Sequence, residues 1–288
     1  MSFKSIEFTV PDRFDNITVK TFLRKNCGIS SRMLTQLKRE KDGILRNDKN
    51  IKAIERLRKG DRVVIHLPDE DNNIVPVKGD LNILYEDEYI IILDKPFGVP
   101  VHPTKIHQLD TLANFLSYRQ NELGENYKFR AVNRLDKDTS GIVIIAKDKY
   151  TAYNLFKNVD KTYYAVCEGI IDESGTIDKP IKLLEGHSIQ RVCGEGGLNS
   201  ITHYKPLLIK NNHTLLEIKL ETGHTHQIRV HFSSIGHPLA GDDMYGGSLK
   251  YIERQALHCG EISFIHPITF NEIRISSELP YDIKKLTL

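Results

Sequence analysis

A short segment of charged and small residues has the side chains for acid, base or nucleophilic chemistry. Asp136 lies at the centre of the run Asn133-Arg134-Leu135-Asp136-Lys137-Asp138-Thr139-Ser140-Gly141. Residues 142–146, which follow directly, are apolar enough to form a strand that is buried on both faces. A loop at the end of such a strand holds polar side chains in fixed positions. Taken alone, the run also fits a solvated turn whose Asp and Ser side chains bond their own backbone.

A second polar segment, residues 222–229, places histidines beside Arg229. His224, His226 and the later His231 invite a zinc interpretation, since a His-x-His pair can supply two ligands. The helical phase does not bring all of them to one face, and the sequence nearby has no matching carboxylate or cysteine pattern. We therefore expect no metal site. A serine hydrolase is disfavoured too, because Ser140 stands in Asp-Thr-Ser-Gly and not in a Gly-x-Ser-x-Gly elbow.

Five segments resemble the motifs of the RluA-type pseudouridine synthases, and they follow that family's order. Residues 133–141 resemble its active-site signature, which ends in Thr-Ser-Gly. Before them, residues 94–103 are similar to its Lys-Pro-x-Gly loop. After them come its Lys-x-Tyr-x-Ala strand at 161–165, its Thr-Gly-Arg-Thr-His-Gln-Ile-Arg motif at 222–229, and its Gly-Asp-x-x-Tyr-Gly loop at 241–246. This order of matches is very unlikely to arise by chance.

The resemblance implies an isomerase that converts uridine in RNA to pseudouridine. Asp136 would be the catalytic carboxylate, Arg229 the cation that pairs with it and holds it ionised, and Tyr163 the tyrosine that stacks on the target base. The reaction breaks the bond from C1′ to N1, rotates the uracil and joins C5 to C1′. A carboxylate suits it, because it can attack the electron-poor C1′ or remove a sugar proton. The reaction has no redox step, so no cofactor is implied.

Other residues of these motifs are expected to contact RNA. Arg134 would fill the stack after the target nucleotide is flipped out, which is required because the reacting atoms are inaccessible inside a stacked helix. His226 and Gln227 are also expected to bind RNA. Asn133 and His224 stand where the family usually has His and Arg, which leaves their substrate contacts open. The alternative is a non-catalytic RNA-binding protein on the same fold. The presence of Asp136, Tyr163 and Arg229 disfavours it.

Frequent strands with scattered helices must position these residues. Apolar runs predict strands at residues 90–93, 141–146, 163–166 and 215–220, and helical patterns cover about 111–119 and 149–158. A further helix, capped by Thr225 and ending at Gly236, would place Ile228, Phe232 and Ile235 in one apolar stripe with Arg229 on its first turns. This order favours an α+β catalytic domain with a large, mostly antiparallel or mixed β-sheet.

The first part of the chain is predicted to be a separate basic module. Residues 1–67 hold 16 Lys and Arg against 8 Asp and Glu, whereas the remainder holds 24 against 30. Two short helices are expected first, around Phe22 and then after a cap at Ser30 or Ser31, followed by a small β element. The module resembles the S-four fold, the RNA-binding fold first known from small-subunit ribosomal protein four. The resemblance implies a phosphate-binding face, for which a solvated helix surface is the alternative. Its residues would be Arg32, Lys38, Arg39 and Lys41.

The polar segment after Leu67 predicts an interdomain linker. We expect a small α+β RNA-binding domain over residues 1–68, a linker over 69–80 and the catalytic domain over 81–288. The sequence lacks a signal-peptide pattern and a run of about 18 apolar residues, so a cytoplasmic protein without membrane contact is expected. Its four scattered cysteines fit isolated thiols. Ribosomal RNA is the favoured partner and transfer RNA an alternative, and we expect a monomer without a protein partner.

Overall fold

The computed structural model describes residues 4–68, 70–156 and 158–287. Positions 1–3, 69, 157 and 288, which belong to the predicted domains, linker and second helix pattern, lie outside the described residues. In the described part of the N-terminal module, four strands form an antiparallel sheet with the spatial order β1-β4-β2-β3. These strands are β1 (Lys4–Thr9), β2 (Ile44–Arg46), β3 (Lys49–Asn50) and β4 (Arg62–Leu67).

Two helices pack on this sheet, α1 (Val19–Lys25) and α2 (Ser31–Leu37). Phe22 and Leu37 are buried in the core that they share with β4. Ser30 caps α2, because its side chain accepts a hydrogen bond from the Met33 amide at 3.1 Å. The expectation that helices come first is wrong, since β1 precedes them. Only Ile6 of β1 is fully buried, so this charged edge strand gives a weak apolar signal.

The domain that the sequence predicts to be catalytic, called the catalytic domain below, is built on a mixed sheet as expected. In the described ranges this sheet has nine strands in the order β5-β6-β7-β14-β8-β13-β12-β9, with β15 paired to β14. Neighbours are antiparallel except β7 and β14, which pair in parallel. The strands are β5 (Asn82–Glu86), β6 (Ile90–Lys95), β7 (Ser140–Ala146), β8 (Asp160–Glu168), β9 (Gly175–Asp178), β12 (Ile201–Lys210), β13 (His213–Leu220), β14 (Leu257–Ile265) and β15 (Glu272–Ser276). A separate pair consists of β10 (Ile181–Leu183) and β11 (Arg191–Cys193).

Helices flank this sheet, and the α+β fold class is confirmed. They are α3 (Leu112–Leu123), α4 (Lys149–Leu155), α5 (Gln227–Ser234) and α6 (Tyr281–Lys284). The predicted helix patterns correspond to α3, α4 and α5. Within the residues that the structure describes, no helix combines the length and the apolarity needed to cross a bilayer.

Residues 70–80, the described part of the predicted linker, have no regular secondary structure, yet they are docked on the catalytic domain. The side-chain amide of Asn114 donates to the Val75 carbonyl at 2.8 Å, and the Ser117 hydroxyl donates to the Ile74 carbonyl at 2.9 Å. Asn72 donates to the Gln120 side chain at 2.7 Å. Polar residues of α3 therefore fix a stretch that polarity alone marks as solvated. The domain boundaries themselves stay a prediction.

The N-terminal module contacts the catalytic domain through α4. Tyr150 is buried in the module's core, with its ring 6.0 Å from that of Phe8. Lys149 donates to the Gln36 side chain at 2.7 Å, and Lys4 lies 3.2 Å from the buried carboxylate of Asp148. Because these contacts combine apolar packing with ion pairing, they hold the basic module in a defined position beside the catalytic sheet.

Candidate active site

The Asp136 segment forms a tight loop that leads directly into β7. The Thr139 amide donates to the Asp136 carbonyl at 3.1 Å and closes the turn. Asn133 is buried, and its side-chain amide donates to the Ile142 carbonyl and accepts from the Ile144 amide, each at 2.9 Å. Asn133 therefore ties the loop to β7 through backbone groups of that strand. Its substrate contact was left open by the sequence, and the structure gives this residue a positioning role.

Gly141 allows β7 and β14 to approach closely beneath this loop. Its φ is +112°, and a Cβ at this position would lie 2.2 Å from the carbonyl oxygen of Cys259. Cys259 is paired in parallel with Gly141 and antiparallel with Tyr163 of β8. The glycine of the Thr-Ser-Gly motif is thus required by packing, since no side chain fits there. The same pairing brings Tyr163 beside the Asp136 loop.

Two buried basic side chains hold the loop through its backbone. Lys95 is 1% exposed, and its ammonium donates to the carbonyl oxygens of Pro96, Val99 and Lys137 at 2.7–2.8 Å. Burial lowers the pKa of Lys95 to about 7, against the opposing charges of Asp138 and Asp136. From the other side, the buried guanidinium of Arg254 donates to the Asp138 carbonyl at 3.2 Å.

Arg254 is itself held in position by α6. Asp282 of α6 accepts from its guanidinium at 2.7 and 3.0 Å. The next residue, Gln255, donates to the Thr139 hydroxyl at 3.2 Å, and His258 pairs with the Ser140 hydroxyl at 2.9 Å. The loop around Asp136 is therefore clamped by several elements that lie far apart in sequence.

Arg229 of α5 bridges two carboxylates. Its Nη1 donates to Asp136 Oδ2 at 3.1 Å, while its Nε and Nη2 donate to Asp242 at 2.7 and 2.8 Å. Arg229 is 6% exposed and Asp242 is 1% exposed, whereas 28% of the Asp136 side chain is accessible. Burial alone would lower the pKa of Arg229, but the hydrogen bonds and charges of Asp242 and Asp136 outweigh it and raise the pKa. The guanidinium thus stays charged, and the aspartate that can meet a substrate is Asp136.

His226 lies at the start of α5 and faces the same carboxylate. Its Nε2 is 3.6 Å from Asp136 Oδ2, and its Nδ1 is 2.8 Å from the Tyr245 hydroxyl. The expected cap at Thr225 is wrong, because the N-cap is His226, in a left-handed conformation with φ +59° and without a side-chain cap bond. The helix does end before Gly236 as expected, and that glycine has φ +82°.

Tyr163 completes the cleft around Asp136. The residue is 7% exposed, and burial raises its pKa well above the ordinary value, with further contributions from Cys259 and Asp136. The hydroxyl therefore keeps its proton at neutral pH, and the ring presents a neutral aromatic surface. Cleft-lining residues are Arg134, Leu135, Asp136, Thr139, Tyr163, Leu220, His224, His226, Gln227, Ile228, Arg229 and Leu257.

Apart from Gln227, the predicted RNA-contacting residues divide into two groups. Arg134 is exposed at the cleft and His226 lines it. Arg32, Lys38 and Arg39 are exposed on α2 and directly after it, in the N-terminal module, and are not among the cleft-lining residues.

The RNA contact expected of Gln227 does not fit the surroundings of its side chain. It is 2% exposed, and its amide donates to Ile201 and Thr202 and accepts from Thr222 and the His224 amide. These bonds use both amide hydrogens and both acceptor positions, so Gln227 supports the fold of the loop instead of reading RNA.

The histidines that invited a metal interpretation point to separate partners. His231 is buried between the Thr202 hydroxyl at 2.8 Å and the Lys179 carbonyl at 3.0 Å. His224 bonds the Asn199 carbonyl at 3.0 Å. Across the described ranges, no group of three or more His, Cys, Asp or Glu residues could hold a metal ion.

The sequence matches two profiles of known protein families. The sequence profile of the RNA pseudouridylate synthase family matches residues 89–234, which include Asp136, Tyr163 and Arg229. A profile described as the N-terminal domain of the RluD ribosomal pseudouridine synthase matches residues 6–63. The chain belongs to the RNA pseudouridylate synthase family. It is thus an RNA pseudouridine synthase, an intramolecular isomerase, as the motifs predict.

Individual relatives of this synthase also carry names of pseudouridine synthases. It is 41% identical over 239 residues to the uncharacterised RNA pseudouridine synthase YhcT of Bacillus subtilis, covering 80% of this chain and 79% of the relative. It is 32% identical over 302 residues to the ribosomal large subunit pseudouridine synthase D of Xanthomonas campestris, covering 96% and 90%. The solved structure of human RNA Pseudouridylate Synthase Domain Containing 1 is 28% identical with a TM-score of 0.58, covering 70% of this chain and 84% of that one.

Sequence reasoning missed several residues that support this synthase's cleft. Lys95, Asp242 and Tyr245 lie inside the recognised motifs, so a signal for them was present, although no role was assigned to them. Arg254 and Gln255 lie outside those motifs. Their role depends on long-range packing against the Asp136 loop, which local spacing does not reveal.

Proposed function

We propose that this synthase isomerises uridine in ribosomal RNA, with Asp136 as the catalytic carboxylate. The observation that supports this role most directly is the contact of Arg229 Nη1 with Asp136 Oδ2 at 3.1 Å in a cleft lined by Tyr163. A partly accessible carboxylate held by a buried cation is a suitable nucleophile or base beside a ribose. It would either attack C1′ or remove a sugar proton as the bond from C1′ to N1 breaks.

Tyr163 would contact the flipped base, and Arg134 would fill the place that the base leaves in the stack. The neutral ring of Tyr163 offers a surface on which the flipped uracil packs while it rotates between its two attachments. Because the Tyr163 hydroxyl keeps its proton, it can donate a hydrogen bond but is a poor base. Arg134 is exposed at the cleft, where its planar guanidinium could occupy the gap left by the flipped nucleotide.

Ribosomal RNA is the proposed substrate, in preference to transfer RNA. Several relatives are named ribosomal large subunit pseudouridine synthase D, and the profile matched by the N-terminal module is described as ribosomal too. The module has a large excess of Lys and Arg, which would supply sequence-independent affinity for phosphates. Such an attached module favours a large structured RNA, with Arg32, Lys38 and Arg39 on its contact face.

We propose that the enzyme acts as a monomer in the cytoplasm. Asp136, Tyr163, Arg229 and His226 all lie in the same cleft of this chain, so one copy suffices to bring them together. A ribosomal RNA substrate would place the reaction in the compartment where ribosomes are assembled. Size-exclusion chromatography with light scattering at working concentration tests the oligomeric state.

The assay that tests the function follows hydrogen release from C5 of uridine in ribosomal RNA. Purified protein without metal or nucleotide is expected to release it, and Asp136→Asn to abolish release while RNA binding persists. Asp172→Asn, at an exposed aspartate, is the matched control and should keep full activity. Full activity in Asp136→Asn would contradict the catalytic assignment. RNA binding by the wild type without any conversion would favour the non-catalytic alternative.

The substrate is tested separately by mapping pseudouridine in cellular RNA with and without the gene. We expect loss of particular pseudouridines from large-subunit ribosomal RNA. Loss from transfer RNA alone, with ribosomal RNA unchanged, would contradict the proposed substrate without affecting the assigned chemistry.

A further inference from the structure

The two carboxylate oxygens of Asp136 have different surroundings. Arg229 Nη1 at 3.1 Å and His226 Nε2 at 3.6 Å both approach Oδ2. Within residues 4–68, 70–156 and 158–287, no hydrogen bond of the protein reaches Oδ1. The side chain is partly accessible in the cleft, so Oδ1 is the oxygen with free lone pairs. The carboxylate is thus anchored at one oxygen and open at the other.

The orientation of His226 is fixed by a chain of hydrogen bonds behind it. The Arg191 amide donates to the Tyr245 hydroxyl oxygen at 2.9 Å, and that hydroxyl is 2.8 Å from His226 Nδ1. Both groups are satisfied when Tyr245 donates its single proton to Nδ1. The imidazole then carries its proton on Nε2, the nitrogen that faces Asp136.

The environment of His226 favours this neutral form. Burial lowers its pKa, and the opposing charge of Asp136 is partly offset by Arg229. Asp242 and Arg191, the other charged groups that act on the ring, have opposite effects on it. A neutral ring with its proton on Nε2 therefore faces Asp136 Oδ2 from 3.6 Å, just beyond hydrogen-bond length, without adding a second positive charge to the cleft. Contacts of this kind shorten to hydrogen bonds when substrate binds.

The backbone at His226 shows that this placement is imposed by the surroundings. Its φ of +59° is in the left-handed region, which is strained for a residue with a Cβ. The ring meets Tyr245 edge to face, with centroids 5.6 Å apart and planes at 87°. Such strain persists only where neighbouring contacts determine the position.

We propose that His226 is a positioning residue that, with Arg229, anchors Oδ2 of Asp136 so that Oδ1 is the oxygen that meets the ribose. The inference rests on the proposed catalytic role of Asp136. It also changes the role expected for His226, from an RNA contact to a donor that orients the carboxylate. Tyr245 acts one step further back, by fixing which nitrogen of His226 carries the proton.

The test separates chemistry from binding in single-turnover assays at saturating RNA. His226→Ala should lower the rate of C5 hydrogen release about tenfold, because one donor to a charged group is lost, while RNA affinity stays within about twofold. His226→Gln, which retains an N–H donor, should recover part of the rate. Tyr245→Phe should also lower the rate with affinity unchanged. The matched controls are His203→Ala and Tyr153→Phe, at exposed or half-exposed positions outside the cleft, which should match wild type.

Each result supports or overturns the positioning role of His226. Wild-type rates in His226→Ala would overturn it, and so would weaker RNA binding with an unchanged saturating rate, which would return His226 to an RNA contact. If His226→Ala does not fold in thermal melts, His226→Gln and Tyr245→Phe provide the same comparison. Asp136→Asn is assayed in parallel. If that variant stays active the proposed function fails, whereas its inactivity beside a fully active His226→Ala removes only the positioning role.

Discussion

The buried ammonium of Lys95 donates to the carbonyl of Lys137, the residue directly after Asp136, at 2.7 Å. The same ammonium bonds the carbonyls of Pro96 and Val99. The Lys-Pro-x-Gly loop and the Asp136 loop are therefore held together through one side chain. We therefore expect the geometry of the proposed catalytic carboxylate to depend on this buried side chain, which is not among the cleft-lining residues.

Lys95→Met should therefore impair chemistry more than binding. Methionine fills similar space but donates no hydrogen bond, so the Lys137 carbonyl loses its partner and the Asp136 loop gains freedom. We expect the single-turnover rate to fall about tenfold or more with RNA affinity nearly unchanged. Lys128→Met, at an exposed lysine, is the control. A wild-type rate in Lys95→Met would show that the loop keeps its geometry without this clamp.

The same lysine should contribute a pH dependence to stability. Burial lowers its pKa from 10.5 to about 7. Between these values the folded protein binds fewer protons than the unfolded chain, so this group makes the free energy of unfolding rise with pH. Lys95→Met lacks the group, and contributions from other residues cancel in the comparison. The melting temperature of wild type minus that of Lys95→Met should increase from pH 7 to pH 9, and a constant or shrinking difference would contradict the lowered pKa.

The sequence predicted the pairing of Asp136 with Arg229 because both residues lie in ordered motifs. Asp136 and Arg229 are 93 positions apart, yet they meet as expected, and Tyr163 lines the same cleft. The apolar stripe of Ile228 and Phe232 likewise predicted α5. Such periodic and motif signals are local, so they can be read without knowing the tertiary structure.

What could not be predicted depends on contacts between distant segments. The N-cap of α5 is His226 and not Thr225, because contacts in the cleft and with Tyr245 set the start of the helix against the ordinary capping preference. Gln227 is polar and lies in a recognised motif, but only the fold shows that its amide is already used. β1 was missed because it is an edge strand with little buried apolar surface.

Gly141→Ala should destabilise the catalytic domain strongly. The added Cβ would lie 2.2 Å from the Cys259 carbonyl oxygen at a φ of +112°, so steric overlap and backbone strain act together. We expect a loss of roughly 3 kcal/mol or more in the free energy of unfolding, measured by urea denaturation. Gly124→Ala is the matched control, since it has a φ of +66° with open space around it and should lose only about 1 kcal/mol. Equal losses in both variants would contradict the close approach of β7 and β14.

Asp242→Asn should damage both stability and rate. The change removes the carboxylate that binds Arg229 at 2.7 and 2.8 Å, and breaking a buried ion pair costs roughly 3–5 kcal/mol. The freed guanidinium can also turn to bind both oxygens of Asp136, which would block the oxygen left open for the ribose. Chemical denaturation and single-turnover rates measure the two effects. Glu272→Gln, which breaks an exposed pair with Arg274, should have little effect on either.

The N-terminal module should supply affinity without affecting the chemical step. Replacing Arg32, Lys38 and Arg39 with Gln removes exposed cations on α2 and directly after it that are not among the cleft-lining residues. If each contacts a phosphate, the slope of log affinity against log salt should fall by about 2–3, because each contact releases a counterion. The rate at saturating RNA should stay at the wild-type value. A triple Gln variant of exposed lysines on β12 and β13 provides the charge-matched control: Lys205, Lys210 and Lys219. An equal loss of slope in both variants would show a general charge effect instead of a defined phosphate-binding face.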